Sequence, residues 1–506
     1  MMMIRRIYLL LLTAMLLATA LATEESGMPQ RRMCRGMHSQ EMVKAHRRAA
    51  ASAATTGQYI GDRRQLVVLV SFSDQSFRKD NAQETAQETE LNTLRMWNRI
   101  LNEPHFSEAP FHGSVHDYFY DQSYGQLNLQ FDLQMVALNE SRVKYRSTEA
   151  NDENSKFLVQ DVVAILEQRQ TDWTLYDWNK DGEVEQLLII YAGKGMNDGG
   201  GSNTIWPHQW WMSDHSDCQP IEVGQGEKKL VVDSYCCVQE LTGGGTYGVF
   251  GTICHEFSHC LGLPDIYYGS GYSFVDKWDL MDSGNYNEGG FLPCGYSGVE
   301  RMMVGWITPT ELTTPVSITG MKPLATDPEA YIIRNDAYHD EFYVIENRQK
   351  VGWDEPLPGS GIVIFHVNYD EGWKHLGWPN QPRVKKDLYI IAANNAVPAP
   401  PGWNSLNFNT LGDWAYPYQD NDSLTNNSAP ASVLINANAD GTKLMSKPIY
   451  NMSVRNGLAS FDFMNRDKAA AITTTTAPRG TYTVLHTLGK VLIVRYANGE
   501  VRKVMR

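Results

Sequence analysis

The stretch HEFSHCLGLPD at residues 255–265 decides which fold and which chemistry this chain is expected to have. Side chains four residues apart lie on one face of an α-helix, so His255 and His259 can bind one tetrahedral zinc ion. Glu256 projects beside that metal, where a carboxylate can act as a general base towards water. The alternative is a core helix with two hydrogen-bonded histidines, but it would leave Glu256 buried without a partner. The motif therefore predicts a zinc centre on a helix.

The residues after the second histidine supply a third ligand. Gly262 can adopt a positive φ, which ends the helix and turns the chain back, and Pro264 follows as a stop. Asp265 is then placed to bind the zinc. Metzincins usually have histidine at this position, so an aspartate departs from their pattern. Further along the chain, WDLMDSG at residues 278–284 resembles the methionine-containing turn of the metzincins.

Composition and charge limit the classes of partner. The 506 residues include 44 Lys and Arg against 58 Asp and Glu, which gives a formal net charge of -14. This balance argues against duplex nucleic acid or an anionic membrane as the main partner. Hydrophobic residues make up 42% of the chain, which excludes a largely disordered protein. No apolar run reaches the about 20 residues of a membrane span, so the sequence predicts no transmembrane helix.

The first residues predict export from the cytoplasm. Arg5 and Arg6 form a basic region, residues 7–18 form an apolar run, and residues 20–22 (Ala-Leu-Ala) have the small-x-small pattern of a cleavage site. We therefore expect a signal peptide at residues 1–22. The mature protein is expected to be secreted, either released or held at the cell surface.

The cysteines predict disulfide bonds in such a compartment. Six of the seven lie close together in sequence, at Cys218, Cys236, Cys237, Cys254, Cys260 and Cys294. They allow up to three disulfides with 15 connectivities. A thiolate metal site is the alternative, and the absence of a Cys-x-x-Cys pair weakens it. Cys34 stands apart; a thiolate that blocks the zinc would give latency, but a stray thiol is the favoured interpretation.

Periodicity and composition predict a mixed α/β or α+β architecture. Apolar residues at 65–70, 126–134 and 186–192 indicate strands, and the patterns at 87–102, 155–169 and 246–262 indicate helices. Short β-type runs at 330–333, 342–345 and 361–365 alternate with turn residues. We therefore divide the chain into a signal peptide (1–22), a prosegment or N-terminal extension (23–62), a catalytic domain (63–306), a β-rich domain (307–465), and a linker with a C-terminal tail (466–506).

Taken together, these motifs resemble the immune inhibitor A family of secreted bacterial zinc metalloproteases. The similarity covers about residues 65–464 and extends to the segments 113–127, 205–208, 296–306, 346–349 and 357–359. The resemblance implies an endopeptidase with a metzincin-like catalytic domain, made as a zymogen and followed by a β-rich domain. It also implies that His255, His259 and Asp265 bind zinc and that Glu256 is the general base.

A second metal site is predicted at residues 177–185, which match the first nine positions of an EF-hand-like calcium loop. The residue at position 12 is Leu188, so the bidentate glutamate of such loops is missing. An ordinary turn rich in Asp and Asn is the alternative. The candidate calcium ligands are Asp177, Asn179, Asp181, Glu183 and Glu185.

The sequence thus predicts a zinc-dependent endopeptidase that acts on protein or peptide substrates. Tyr286, five residues after Met281, is a candidate donor to the oxyanion of the transition state, although a packed loop tyrosine is the commoner role. Two other functions stay open. One is hydrolysis of a non-protein amide bond. The other is a catalytically silent adhesive or binding protein, which would have no need of Glu256.

Overall fold

The computed structural model describes residues 59–148, 152–226, 229–267, 274–369, 387–396 and 408–465, and the backbone of three strands between residues 482 and 505. The predicted signal peptide, Cys34 and nearly all of the predicted N-terminal extension lie outside the described residues. The predicted linker lies outside them as well. The domain boundaries given above therefore stay predictions.

Few helices and many strands make up the described part of the chain. The α-helices are α1 (Ala86–Asn102), α2 (Val115–Gln122), α3 (Ser155–Gln168), α4 (Phe250–Cys260) and α5 (Gly298–Met303). Short 3₁₀ helices lie at Arg142–Tyr145, Trp173–Leu175, Met212–Asp214, Asp276–Trp278, Gly284–Gly290, Gly352–Asp354 and Phe408–Trp414.

The strands form several separate sheets. In chain order they are β1 (Gly61–Ser71), β2 (Leu127–Ala137), β3 (Glu183–Val184), β4 (Leu187–Lys194), β5 (His208–Trp211), β6 (Ile221–Val223), β7 (Leu230–Val232), β8 (Ser234–Leu241), β9 (Thr310–Glu311), β10 (Val316–Met321), β11 (Tyr331–Arg334), β12 (Glu341–Arg348), β13 (Gly361–Asn368), β14 (Leu388–Ile390), β15 (Ile449–Arg455), β16 (Leu458–Phe463), β17 (Tyr482–Leu488), β18 (Val491–Tyr496) and β19 (Val501–Met505).

The first sheet has the strand order β2-β1-β4-β8-β5. Its first four strands are parallel, and β5 pairs antiparallel with β8 at the edge. Val67 and Leu69 of β1 are buried in one hydrophobic cluster, whereas Leu66, Val68 and Val70 are buried in another. A parallel strand covered on both faces needs such a continuous apolar run. Each fully buried side chain contributes about 1.5–3 kcal/mol to folding.

Helices cover both faces of this sheet. Residues of α1, α2 and α4 pack on the face that carries Val67, and residues of α3 pack on the opposite face. The helices α1 and α2 begin with capping boxes formed by Thr85 with Glu88 and by Ser114 with Asp117. These caps satisfy amide groups that a helix leaves without intrahelical partners. The positions predicted for α1, α3, β1, β2 and β4 are confirmed to within a few residues.

The helix predicted over 246–262 is shorter than expected. It begins at Phe250, because residues 242–246 close a turn in which the Thr242 amide donates to the Thr246 carbonyl at 2.8 Å. Gly245 has a φ of +76° in this turn. The predicted end is confirmed, since Gly262 has a φ of +84° just after the helix. The glycines before the motif thus belong to a loop.

Strands dominate the chain after residue 306. One sheet has the order β14-β13-β12-β11-β9, a second has the order β10-β16-β15, and β17, β18 and β19 form a third. Val344, Val363 and Phe365 of β12 and β13 belong to the same hydrophobic cluster as Ile253 and Phe257 of α4. The described chain is therefore a mixed α/β protein with several sheets and few helices. Part of its second half shares a core with the helix that carries the motif.

A buried arginine joins the two halves. Arg348, at the end of β12, forms two hydrogen bonds of 2.7 Å with the carboxylate of Asp354 and lies 3.1 Å from Glu346. It also donates to the carbonyl oxygens of Trp278, at 3.2 Å, and Gly295, at 3.0 Å. A guanidinium this deeply buried is stable only with such partners, and removing one partner of a buried ion pair typically costs about 3–5 kcal/mol.

The predicted disulfides are not present. All six cysteines between residues 218 and 294 are free thiols, and five of them are buried. Cys236 and Cys237 are neighbours on β8, so their side chains point to opposite faces and enter different hydrophobic clusters. Closeness in sequence therefore does not bring these thiols together. Among the described residues, no helix is long and apolar enough to cross a membrane.

Candidate metal centre

The helix α4 presents the motif from inside the protein. Every residue from Phe250 to His259 is buried. The helix can lie this close to its neighbours because Gly251 has no side chain: a Cβ there would lie 1.9 Å from the carbonyl oxygen of Asn285. The helix therefore packs directly on the backbone of the segment 284–290. This contact fixes the position of the histidines relative to the turn that follows.

His255, His259 and Asp265 converge on one point. They each offer a ligand atom, and these atoms all lie within 4.8 Å of one another. The Oδ1 atom of Asp265 lies 3.2 Å from the Nε2 atom of His255 and 3.4 Å from the Nε2 atom of His259. The turn at Gly262 thus brings Asp265 back to the histidines, as the spacing predicted.

Backbone carbonyls hold both imidazole rings. The Nδ1 atom of His255 lies 2.9 Å from the Leu280 carbonyl oxygen, and that of His259 lies 2.8 Å from the Leu263 carbonyl oxygen. In a neutral imidazole whose Nδ1 carries the proton, Nε2 is an acceptor. Both Nε2 atoms therefore present lone pairs to the point where Asp265 lies. Ligating histidines in metalloproteins are oriented by hydrogen bonds of this kind.

The donor set fits a metal ion. Asp265 Oδ1 is buried and has no hydrogen-bond partner in the described part of the chain. Burial tends to lower the pKa of His255, but the nearby carboxylates of Asp265 and Glu256 raise that pKa to about 9. Burial tends to raise the pKa of Asp265, but the His259 and His255 imidazoles hold it well below its usual range. The site thus favours a positive charge, and two imidazoles with one carboxylate suit zinc.

Glu256 lines the centre without belonging to the ligand set. Its Oε2 atom lies 3.9 Å from the Nε2 atom of His259, and its side chain is 5% exposed. A carboxylate beside a metal and almost out of contact with bulk water is placed to exchange protons with a reacting group. The four residues predicted from the motif are therefore brought together.

Comparison with known proteins identifies the family. Residues 50–303, which are half of the chain, match the family described as immune inhibitor A peptidase M6, catalytic domain. The chain belongs to this family. The expected resemblance is thereby confirmed, and the chain is a member of a family of peptidases.

Two relatives show how far the M6 similarity extends. Immune inhibitor A from Bacillus thuringiensis subsp. alesti is 30% identical over 115 residues, which are 21% of this chain and 16% of that protein. Pre-pro-metalloprotease PrtV from Vibrio cholerae serotype O1 (strain M66-2) is 27% identical over 180 residues, which are 29% of this chain and 18% of that protein. This M6 chain therefore matches less than a fifth of the length of these curated relatives.

The methionine-containing turn of this M6 peptidase lies against the metal centre. Asp279 Oδ1 accepts a hydrogen bond of 2.9 Å from the Met281 amide. The carbonyl of Met281 accepts from the amide of Ile266, the residue after Asp265, at 3.0 Å. The turn thus touches the site twice, through Ile266 and through the Leu280 carbonyl that holds His255.

Two tyrosines of the M6 chain lie near this turn or near the ligands. Tyr286 belongs to the 3₁₀ segment that packs on α4, and its side chain is 45% exposed; its assignment as an oxyanion donor stays a prediction. Tyr267 was not predicted. Its ring lies parallel to that of His255, with the centroids 6.3 Å apart and an interplanar angle of 11°. Its position two residues after Asp265 is the only sequence signal that points to it.

The predicted calcium loop forms a turn of the M6 chain in which side chains accept from the backbone. Asp177 Oδ2 accepts from the Gly182 amide at 3.1 Å, and Asn179 Oδ1 accepts from the Asp181 amide at 2.9 Å. Among the described His, Cys, Asp and Glu side chains, only the group of His255, His259 and Asp265 has three ligand atoms within 4.8 Å. The calcium assignment therefore stays a prediction.

Electrostatics at this loop favour a cation. Burial, together with the charges of Asp233, Asp181 and Asp177, raises the pKa of Glu183 to about 7. Burial likewise raises the pKa of Glu185 to about 8, although its hydrogen bond from the Trp178 amide acts in the opposite direction. The carboxylates of the loop thus crowd one another.

His208 has a structural role. Its ring is buried, with Nδ1 lying 2.6 Å from the Trp206 carbonyl oxygen and Nε2 lying 3.1 Å from the hydroxyl of Tyr235. It lies outside the group of metal-site side chains.

Proposed function

We propose that this protein is a secreted zinc-dependent endopeptidase that hydrolyses peptide bonds of extracellular proteins. The observation that carries the proposal is the convergence of two Nε2 atoms and one carboxylate oxygen beside Glu256. Membership of a peptidase family supports hydrolysis of peptide bonds over hydrolysis of another amide. The intact Glu256 argues against a silent binding protein, because such a protein has no use for a general base.

In this proposal, His255, His259 and Asp265 hold the zinc ion. When bound, zinc supplies a Lewis acid that activates water and polarises the peptide carbonyl. Glu256 accepts the proton that the attacking water loses and delivers it to the leaving amine. The carbonyls of Leu280 and Leu263 keep both imidazoles in the orientation that this arrangement needs. Tyr286 is proposed as a donor to the developing oxyanion.

The proposed architecture and processing rest on sequence features and on one relative's name. We propose a metzincin-like catalytic domain followed by a β-rich domain. Three features support the metzincin-like part: the helix with the histidines, the turn at Gly262 and the methionine turn beneath His255. The basic and apolar start of the chain supports secretion. The name of the Vibrio relative describes a pre-pro-metalloprotease, and we propose that this chain is likewise made as a zymogen.

Removal of the metal should abolish cleavage. We expect purified, processed protein to digest casein, to lose this activity on dialysis against a zinc chelator, and to regain it when stoichiometric zinc is added. A panel of small amides run in parallel tests the alternative hydrolase. Digestion that survives complete removal of zinc would contradict the proposal, and so would a protein that binds zinc and cleaves only non-peptide amides.

Calcium should stabilise the protein through the loop 177–185. At a calcium concentration 100 times the dissociation constant, binding adds about 2.7 kcal/mol, which should raise the Tm by about 2–5 °C. Because protons compete for Glu183 and Glu185, the calcium effect should grow as the pH rises from about 6 to about 9. The measurement is the Tm of the zinc-loaded protein with added calcium, with magnesium as the control. An equal response in Asp181→Ala would exclude this loop as the site.

A further inference from the structure

Two buried carboxyl groups lie beneath the turn that holds His255. Asp279 belongs to this turn, and Glu300 belongs to the first turn of α5. Both side chains are almost fully buried, with 0% and 1% of their surface exposed. Asp279 Oδ1 accepts from the Met281 amide. Glu300 Oε2 accepts from the Ser297 amide at 2.7 Å and so completes the capping box of α5.

Each group has a second oxygen to satisfy. Asp279 Oδ2 and Glu300 Oε1 are buried and receive no hydrogen bond from N–H or O–H groups of the described residues. The two carboxyl groups are within hydrogen-bonding reach of each other. Two ionised carboxylates offer only acceptors and repel each other, so this contact is favourable only when one of them is protonated. One proton between the groups satisfies both remaining oxygens.

The turn connects this pair to the metal centre. Leu280 stands between Asp279 and Met281 in the chain, and its carbonyl oxygen accepts from His255 Nδ1 at 2.9 Å. The Met281 carbonyl accepts from the amide next to Asp265. Because Asp279 fixes the Met281 amide, the conformation of these three residues determines how His255 is oriented.

We propose that Asp279 and Glu300 share one proton and act as positioning residues for the zinc centre. Glu300 donates a hydrogen bond and Asp279 accepts it, which holds the Leu280 carbonyl in place for His255. The inference rests on the proposed zinc function of the site. It adds to that function a pair of residues that do not bind the metal and whose effect depends on pH.

Other ionisable groups surround the pair. Burial raises the pKa of Glu300 well above its usual range, and the charge of Asp279 raises it further. Burial also raises the pKa of Asp279, and Asp282 adds to this effect while Arg348 opposes it. The other ionisable neighbours are Tyr118 of α2, Cys294 and Tyr296 of the segment before α5, and Glu346 and Asp354 beside Arg348.

The sign of the pH dependence follows from the retained proton. Near neutral pH the folded protein keeps a proton that the unfolded chain has released, so folding takes up a proton. The stability that depends on the pair is therefore greatest at acid pH and decreases as the pH rises through the folded-state pKa of Glu300.

The test uses three variants of the full-length protein. Glu300→Gln keeps a donor towards Asp279 without a titratable proton, and Glu300→Ala removes it. Glu88→Ala removes the same type of capping carboxylate from α1 and is the matched control. We measure zinc affinity by competition with a chelator and the Tm from about pH 6 to about pH 9. Glu300→Ala should lose about 10–100-fold in zinc affinity. Glu300→Gln and Glu88→Ala should bind zinc as the wild type does, and the Tm of Glu300→Gln should depend less on pH.

Three results would overturn the proposal. The first two are a zinc affinity that falls equally in Glu300→Gln and Glu300→Ala, and a zinc affinity that is unchanged in both. The third is a Tm that depends on pH in Glu300→Gln as it does in the wild type. If Glu300→Ala does not fold, Asp279→Ala replaces it, because it also removes the hydrogen bond between the two groups, and this variant should lose zinc affinity while Glu300→Gln keeps it. If the wild-type protein binds no zinc, the proposed function is refuted. The pH dependence of its Tm, compared with that of Glu300→Gln, still decides whether the proton is shared.

Discussion

Replacing Glu256 with alanine should lower kcat for peptide cleavage by about 10²–10⁴-fold, the range that a general base contributes. Glu256 is not one of the three converging ligands, and its carboxylate lies 3.9 Å from the Nε2 atom of His259. The variant should therefore still bind zinc with its two histidines and Asp265. The measurement is kcat on one defined peptide substrate, together with the zinc content of the same sample.

Two conservative variants separate chemistry from packing. Glu256→Gln keeps the size and polarity of the side chain but lacks the base, so it should be as inactive as Glu256→Ala. Glu256→Asp keeps the base one methylene further back and should retain partial activity. A Glu256→Gln protein with near wild-type kcat would show that another group accepts the proton, and the mechanism proposed here would be wrong.

Asp265→Ala should cost the protein its zinc. A group that only supports a metal ligand typically accounts for about 10–100-fold in metal affinity, so loss of a direct ligand should cost at least about 100-fold. The change also leaves two Nε2 atoms facing each other without the carboxylate that lies 3.2 and 3.4 Å from them. We expect activity and zinc-dependent thermal stabilisation to be lost together. Metal content after dialysis and the Tm with and without zinc measure both effects.

The matched controls address the identity of the third ligand. Asp265→Asn keeps an oxygen donor without charge and should bind zinc more weakly than wild type and more tightly than Asp265→Ala. Asp62→Ala removes an exposed aspartate on β1 and should change neither zinc content nor activity. Stoichiometric zinc in Asp265→Ala after dialysis would assign the third position to another residue.

The convergence of His255, His259 and Asp265 was the most predictable feature of this protein, because it depends on residues that are close in sequence. Helical spacing places His255 and His259 on one face, and a glycine that accepts a φ of +84° determines where Asp265 can lie. The continuous apolar run in β1 was equally clear, since only a strand buried on both faces needs it. In each case, residues that are close in sequence are sufficient to make the prediction.

What the sequence did not reveal depends on contacts between distant segments. The carbonyls of Leu280 and Leu263 orient the histidines, and a backbone group leaves no trace in the residue type. Glu300 meets Asp279 from 21 residues away in sequence, and no periodicity links them. The disulfide prediction was wrong for a related reason: it counted cysteines that the fold distributes over separate clusters. In the loop 177–185, side chains accept hydrogen bonds from their own backbone, and the calcium assignment stays a prediction.

Arg348 has a consequence for how this protein can be divided. The region that matches the family ends at residue 303, yet Arg348 reaches back from β12 to the carbonyls of Trp278 and Gly295 on either side of the methionine turn. A polypeptide that stops where the family match stops would expose the apolar side of α4 and leave those carbonyls without their donor. The smallest portion of the gene that can be inherited, transplanted or expressed as an intact folding unit is therefore longer than the portion that matches the family.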